Sequence, residues 1–217
     1  KFEDLKLEAH KSYTDFISKI DVRLQSEKNA DLKSSFLLLK KILINKLYFI
    51  DAMKEQARYF NERDKMMTSN FKFLADTLNK NEKIIVWAHN SHISKTGLQN
   101  PTSYLGKLLQ KEYDSLLYGV GLYAYQGELA DNFRIGKIKL TPFANNGLEY
   151  HLHELRKDNP LEDQALFLNF DRDSPSLQYQ WLQDTIPAFG WSTVIVPIKE
   201  YDAAILIERA HAPTYID

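Results

Sequence analysis

KIIVWAHNSHISK, residues 83–95, is the stretch on which the reading of this chain turns. Ile84, Ile85, Val86 and Trp87 form an apolar run bounded by Asn81 and His89. The run is too short for a helix and does not alternate, so it predicts a strand over Lys83–Ala88, parallel and buried on both faces. It breaks off into Ala88-His89-Asn90-Ser91-His92. Ligands of open α/β sheets bind beyond the carboxyl ends of the strands. Two imidazoles, an amide and a hydroxyl therefore arrive together where a site belongs.

Upstream the pattern has a helical period. Leu5, Ala9, Phe16, Ile20 and Leu24 fit one amphipathic helix over Phe2–Leu24. A second begins near Asp31, taken as its N-cap, with Phe36, Leu39, Leu43, Leu47 and Ile50 on one stripe. A third covers Glu62–Asn79. Downstream, strands and helices alternate. Strands are expected at Leu116–Tyr125, Arg134–Leu140, Ala165–Phe170, Thr193–Ile198 and Ala203–Ile207. Helices are expected from Pro101 to Tyr113, at Leu148–Arg156 and at Ser176–Gln183, where Pro187 ends the last. The expected fold is α/β, a largely parallel sheet flanked by helices and preceded by long N-terminal helices. Residues 1–217 are read as a single α/β unit, helical over 1–60, with the strands in 61–217.

Bulk composition narrows the function. The 217 residues carry 28 basic and 29 acidic side chains, so no charge excess attracts nucleic acid or anionic membrane. Cysteine is absent, which removes disulfides, thiolate nucleophiles and zinc-thiolate sites. No apolar run approaches the roughly 18 residues needed to span a bilayer. The chain opens at Lys1 with neither Met nor a signal pattern, so it is expected to be a processed product or an excerpt. Its compartment stays open.

Of the chemistry-bearing residues, His89 and His92 stand first. Neutral imidazole takes a proton and imidazolium stabilises developing negative charge, both near neutral pH. Asn90 and Ser91 are placed to orient a substrate or donate to an oxyanion. Trp87 edges the same spot. Arg63 is a fixed cation for a carboxylate or oxyanion, and Asp64 pins it or orients a histidine. The competing reading of Asn61–Asp64 is a solvated helix start with acids near the positive dipole end. The His-x-x-His spacing also admits a metal, although zinc needs three or four protein ligands and no third is apparent. His151 and His153, two apart on a helix, are read as surface. Nucleophile-elbow, phosphate-loop and dinucleotide glycine signatures are absent.

Taken together, these blocks resemble the erythromycin esterase family. Glu62-Arg63-Asp64-Lys65-Met66-Met67 is similar to that family's Arg-Asp-x-x-Met stretch, and Val86 to His92 to its Trp-Ala-His-Asn-x-His block. Tyr118-Gly119-Val120-Gly121 and Gly127-Glu128 resemble its next strand and following turn. Asn146 to Glu149 resembles a later helix start, and Tyr201-Asp202-Ala203-Ala204 the closing strand. The resemblance covers about Arg58 to Pro213. It implies hydrolysis of an ester or lactone, a macrolide in the named members, by water that histidine activates without metal or other cofactor. It implies His89, His92 and Arg63 as catalytic residues, with Trp87, Asn90, Ser91, Asp64 and Glu128 binding substrate. Family members also carry an earlier Gly-Glu-x-x-His-Gly loop that this sequence lacks. The expectation is therefore a fold incomplete relative to the full family domain, inactive alone, partnered by a missing N-terminal part of the same protein. The alternatives are a ligand-binding module that keeps the fold and a metal-dependent hydrolase.

Overall fold

A computed structural model describes residues 2–52, 56–97, 104–130, 136–141, 146–158, 165–170, 177–188 and 193–213. It divides into two compact units, Lys1–Val86 and Trp87–Asp217.

The first unit is helical. Helices α1 (Phe2–Ser26) and α2 (Ala30–Ala52) form a hairpin whose short connector permits antiparallel neighbours. The cap of α2 is Asn29, not Asp31: its Oδ1 accepts from Asp31 N at 2.9 Å and Leu32 N at 3.1 Å. Asn29 wins because its side chain reaches back to the free N–H groups of the first turn, whereas Asp31 already lies inside the helix. Lys40 Nζ crosses to Asp21 at 2.5 Å. Helix α3 (Gln56–Phe73) runs into a wide π turn at Leu74–Leu78. Lys41 Nζ, on α2, donates to Ser69 Oγ on α3 at 2.7 Å. Glu62-Arg63-Asp64 therefore lies inside a helix rather than at its start. The buried apolar side chains described in this unit are Ile20 and Leu43.

The second unit holds the sheet. Its helices are α4 (Asn90–Ile93), α5 (Leu105–Tyr113), α6 (Leu148–Asp158) and α7 (Pro197–Glu200). Strands β1 (Val120–Ala130), β2 (Lys137–Leu140), β3 (Ala165–Asn169) and β6 (Ala203–Ala210) make one sheet in the order β2-β1-β6-β3. Strands β4 (Ile186–Ala188) and β5 (Thr193–Ile195) form a separate antiparallel pair. Leu148 and Leu152, four apart on α6, are fully buried in the core with Leu206, Tyr201 and Ile195. Each such leucine contributes about 1.5–3 kcal/mol. The helix expected at Ser176–Gln183 is a 3-10 helix over Leu177–Gln183, and Pro187 lies beyond its end, in β4. The stretch from Asn100 to Ser103, where the helix over Pro101–Tyr113 was expected to begin, lies outside the described residues.

The α/β class stands, but the sheet is mixed rather than largely parallel. Among the described residues of this sheet, β1 and β6 run parallel, while β1–β2 and β3–β6 are antiparallel. The expected strand at Lys83–Ala88 has no pairing among the described residues. Ile85 is 90% exposed and Trp87 85%. The reason is physical: an apolar run becomes a buried parallel strand only when neighbours satisfy its backbone and cover both faces.

Candidate active site

His89 is the hinge between Ala88 and the four-residue helix α4. Its backbone is non-helical, with φ −59° and ψ 144°. An N-cap is usually Ser, Thr, Asp or Asn; here the imidazole does the capping, Nδ1 accepting from Ser91 N at 3.3 Å. Ser91 Oγ lies 2.9 Å from the same nitrogen. Burial, and then the neighbouring His92, lower the pKa of His89, so the ring favours its neutral form. One turn on, the His92 ring meets Tyr104 edge to face at 5.8 Å.

Between the two histidines, Asn90 is buried. Its Nδ2 donates to Leu122 O at 2.7 Å and its Oδ1 accepts from Leu122 N at 3.0 Å. The side chain thus takes the hydrogen-bonding place of a neighbouring strand at this point of β1. Tyr201 Oη donates to Asn90 O at 3.2 Å. Burial raises the pKa of Tyr201, which keeps its hydroxyl protonated and able to donate. The Tyr123 ring packs against Tyr201 edge to face at 6.2 Å.

Past α4 the chain is held by two acids from the α7–β6 turn. Ser94 Oγ and Thr96 Oγ1 donate to the two carboxylate oxygens of Glu200, which is buried. Lys95 N donates to Glu200 O at 3.0 Å. The Lys95 ammonium pairs with Asp202, and Asp202 Oδ2 also accepts from Gly119 N at 2.7 Å. Helix α5 closes the other side. A Cβ on Gly106 would lie 2.4 Å from the carbonyl carbon and oxygen of Ile93, so only glycine permits this approach.

The remaining candidates are carried by other elements. In the first unit, Asp64 is 1% exposed and faces Arg63 Nε at 3.5 Å. Glu128 pairs with Lys137 across the β1–β2 hairpin at 3.0 Å. It is six residues beyond Leu122, about 20 Å along a strand. Trp87, Asn90, Ser91, His89 and His92 are contiguous, while Asn90 is committed at both ends of its amide to the fold. The histidine block meets β1 near its amino end, at Leu122. The carboxyl ends of β1 and β6 instead border a cleft of about 410 Å³, lined by Glu128, Lys139, Arg209 and His211 among others.

His151 and His153 are half-buried rather than surface. His151 stacks on Trp181 at 4.8 Å; His153 stacks on Tyr125 at 3.8 Å and lies 2.9 Å from Glu208. Among the described residues, no three His, Asp or Glu side chains converge as metal ligands. Nor is any described helix long and apolar enough to cross a membrane. Sequence reasoning missed Glu200, Asp202, Tyr201 and Leu122. The signal for two of them was a polar loop, Ser94-Lys95-Thr96, and a second acidic block, Glu200-Tyr201-Asp202, each rich in groups that need partners.

Residues 7–210 match the family model described as erythromycin esterase. A protein named "Putative hydrolase YbfO" from Bacillus subtilis (strain 168) is 27% identical over 194 residues, covering 78% of this chain and 41% of its own length. Two solved structures share the fold. A Bacillus cereus protein has a TM-score of 0.68 at 19% identity, over 95% of this chain and 53% of the other. A structure titled succinoglycan biosynthesis protein has a TM-score of 0.64 at 14% identity, over 93% of this chain and 51% of the other. The chain thus spans about half the length, or less, of the relatives it matches. With a family model matched across nearly its whole length, the chain belongs to the erythromycin esterase family.

Proposed function

We propose that this hydrolase-like domain is one part of an enzyme that cleaves a small-molecule ester or lactone by histidine-assisted attack of water. The observation that carries the reading is the mounting of His89 and His92. His89 caps the short helix that carries His92, and the first residue of that helix, Asn90, is fixed to β1 and Tyr201. Catalytic groups must be held by a supporting shell, and this one is built from buried side chains. Acid–base help contributes about 10²–10⁴-fold, and a donor to the oxyanion a similar factor. Arg63 is proposed as a stabilising cation and Asp64 as its anchor, on the strength of the Glu62–Met67 block.

The rest of the site is proposed to come from a segment outside this chain. Exposed Ile85 and Trp87 support this, because an apolar run of this kind is stable when paired and covered. The share of each relative that the chain spans supports it as well. The test is hydrolysis of a p-nitrophenyl ester and of a macrolide lactone by this chain and by a longer natural form that contains it. Turnover is expected only in the longer form, and lost in His89→Ala and His92→Ala. Robust turnover by this chain alone that disappears in His89→Ala defeats the need for a second segment.

A second reading is a non-catalytic ligand-binding module, favoured by the lack of the Gly-Glu-x-x-His-Gly loop in this sequence. Calorimetry with a macrolide, run beside product analysis, separates the two: heat without product supports the module.

A further inference from the structure

We infer that His89 presents an Nε2–H donor to its ligand, aimed at a carbonyl or carboxylate oxygen, with Ser91 as the positioning residue that fixes this tautomer. The inference deepens the hydrolytic reading and rests on it for the ligand class, but not for the tautomer. A backbone N–H can only donate. Ser91 N–H points at His89 Nδ1 from 3.3 Å, so Nδ1 must offer a lone pair. A proton on Nδ1 would set two N–H groups against each other. The Ser91 hydroxyl, 2.9 Å from Nδ1, can give its own proton to the same nitrogen. With Nδ1 engaged, the neutral ring carries its proton on Nε2.

The chemical consequence is a division of labour. An imidazole whose outer nitrogen already bears hydrogen cannot take a proton from water there. It can donate to an oxygen that gains negative charge as the ester carbonyl turns tetrahedral. His89 is thus removed from the role of general base and becomes an oxyanion donor. Burial and the nearby His92 favour the neutral ring that this requires.

The test is long-range proton–nitrogen correlation of the ring nitrogens in the ¹⁵N-labelled chain near neutral pH. A pyridine-like Nδ1 and a pyrrole-like Nε2 at His89 are expected. The reverse pattern, or an even mixture, overturns the inference. Ser91→Ala keeps the backbone N–H and should keep the tautomer. Ser91→Pro removes both donors and should shift the ring toward a mixture, with the Leu122 amide resonance reporting whether the Asn90 clamp survives. An unchanged tautomer in a folded Ser91→Pro chain counts against Ser91 as the positioning residue. In the longer form, His89→Gln, which retains an N–H donor, should keep about tenfold more kcat than His89→Ala; equal loss in both counts against the donor role. A correct tautomer with no ester turnover in any form sinks the hydrolytic proposal and leaves the ring assignment standing.

Discussion

The side chain of Asn90 grips the backbone of Leu122 with both ends of its amide, at 2.7 Å and 3.0 Å. A single carboxamide thereby does what a strand residue does, meeting one N–H and one C=O of β1. It also ties the histidine helix to the sheet. Replacing Asn90 with Ala should cost about 2 kcal/mol, because two backbone groups lose their partner in a half-buried place. Asn90→Asp should cost a comparable amount, since a carboxylate cannot donate to Leu122 O. Urea unfolding followed by tryptophan fluorescence measures both.

Helix α5 is the second support. The methyl group of Gly106→Ala would sit against the Ile93 carbonyl, which belongs to backbone and cannot swing aside. The expected destabilisation is about 1–3 kcal/mol. Ring signals of His92 and Tyr104 should move with it, because their edge contact bridges α4 and the entry to α5. An unfolding midpoint equal to that of the unmodified chain would show that the two helices do not pack this closely.

The Lys95–Asp202 pair should behave as a buried ion pair. Lys95 is 5% exposed and Asp202 16% at their side chains. Loss of one partner leaves the other charge stranded, so Asp202→Ala or Lys95→Ala should each cost about 3–5 kcal/mol. The double variant Lys95→Met/Asp202→Leu is expected to recover a large part of that loss. A double-mutant cycle read by urea unfolding checks it, and additive single effects would argue against coupling.

Acid should weaken the fold through two histidines. The pKa values of His89 and His151 both fall below the ordinary value of 6.5, chiefly through burial. Each folded ring resists protonation that the unfolded chain accepts. Their contribution is complete above pH 6.5 and is lost as pH drops below it, because the unfolded state then binds more protons. Thermal unfolding midpoints measured from pH 8 to pH 5 should therefore decline, and His151→Gln should flatten the slope. A midpoint that rises on acidification contradicts the sign.

How much of this was readable in sequence depends on how local each cause is. The extent of α1 followed from apolar spacing alone, ending at Ser26 where Leu24 was expected. The cap of α2 was missed by two positions, because Asn29 and Asp31 are equally good cap residues and only geometry separates them. The strand at Lys83–Ala88 illustrates the opposite limit: its composition specifies a buried strand, yet a strand is a relation between segments. Contiguous His89 and His92 were legible as a block. Their supports were not, since Glu200 and Asp202 reach Ser94 and Lys95 across 106 and 107 positions. His151 and His153 were misjudged for the same reason. Helical spacing says that they face apart, but not that Trp181 and Tyr125 wait on either side.

Exposed Ile85 and Trp87 carry a practical consequence for anyone handling this polypeptide. Bare apolar backbone is indiscriminate, and it will accept another copy of itself as readily as any other strand. Concentration then becomes a variable of behaviour: dilute samples should stay monodisperse, and concentrated ones should cluster through this seam. Light scattering on Trp87→Lys, set against the unaltered chain, should show the clustering fall away.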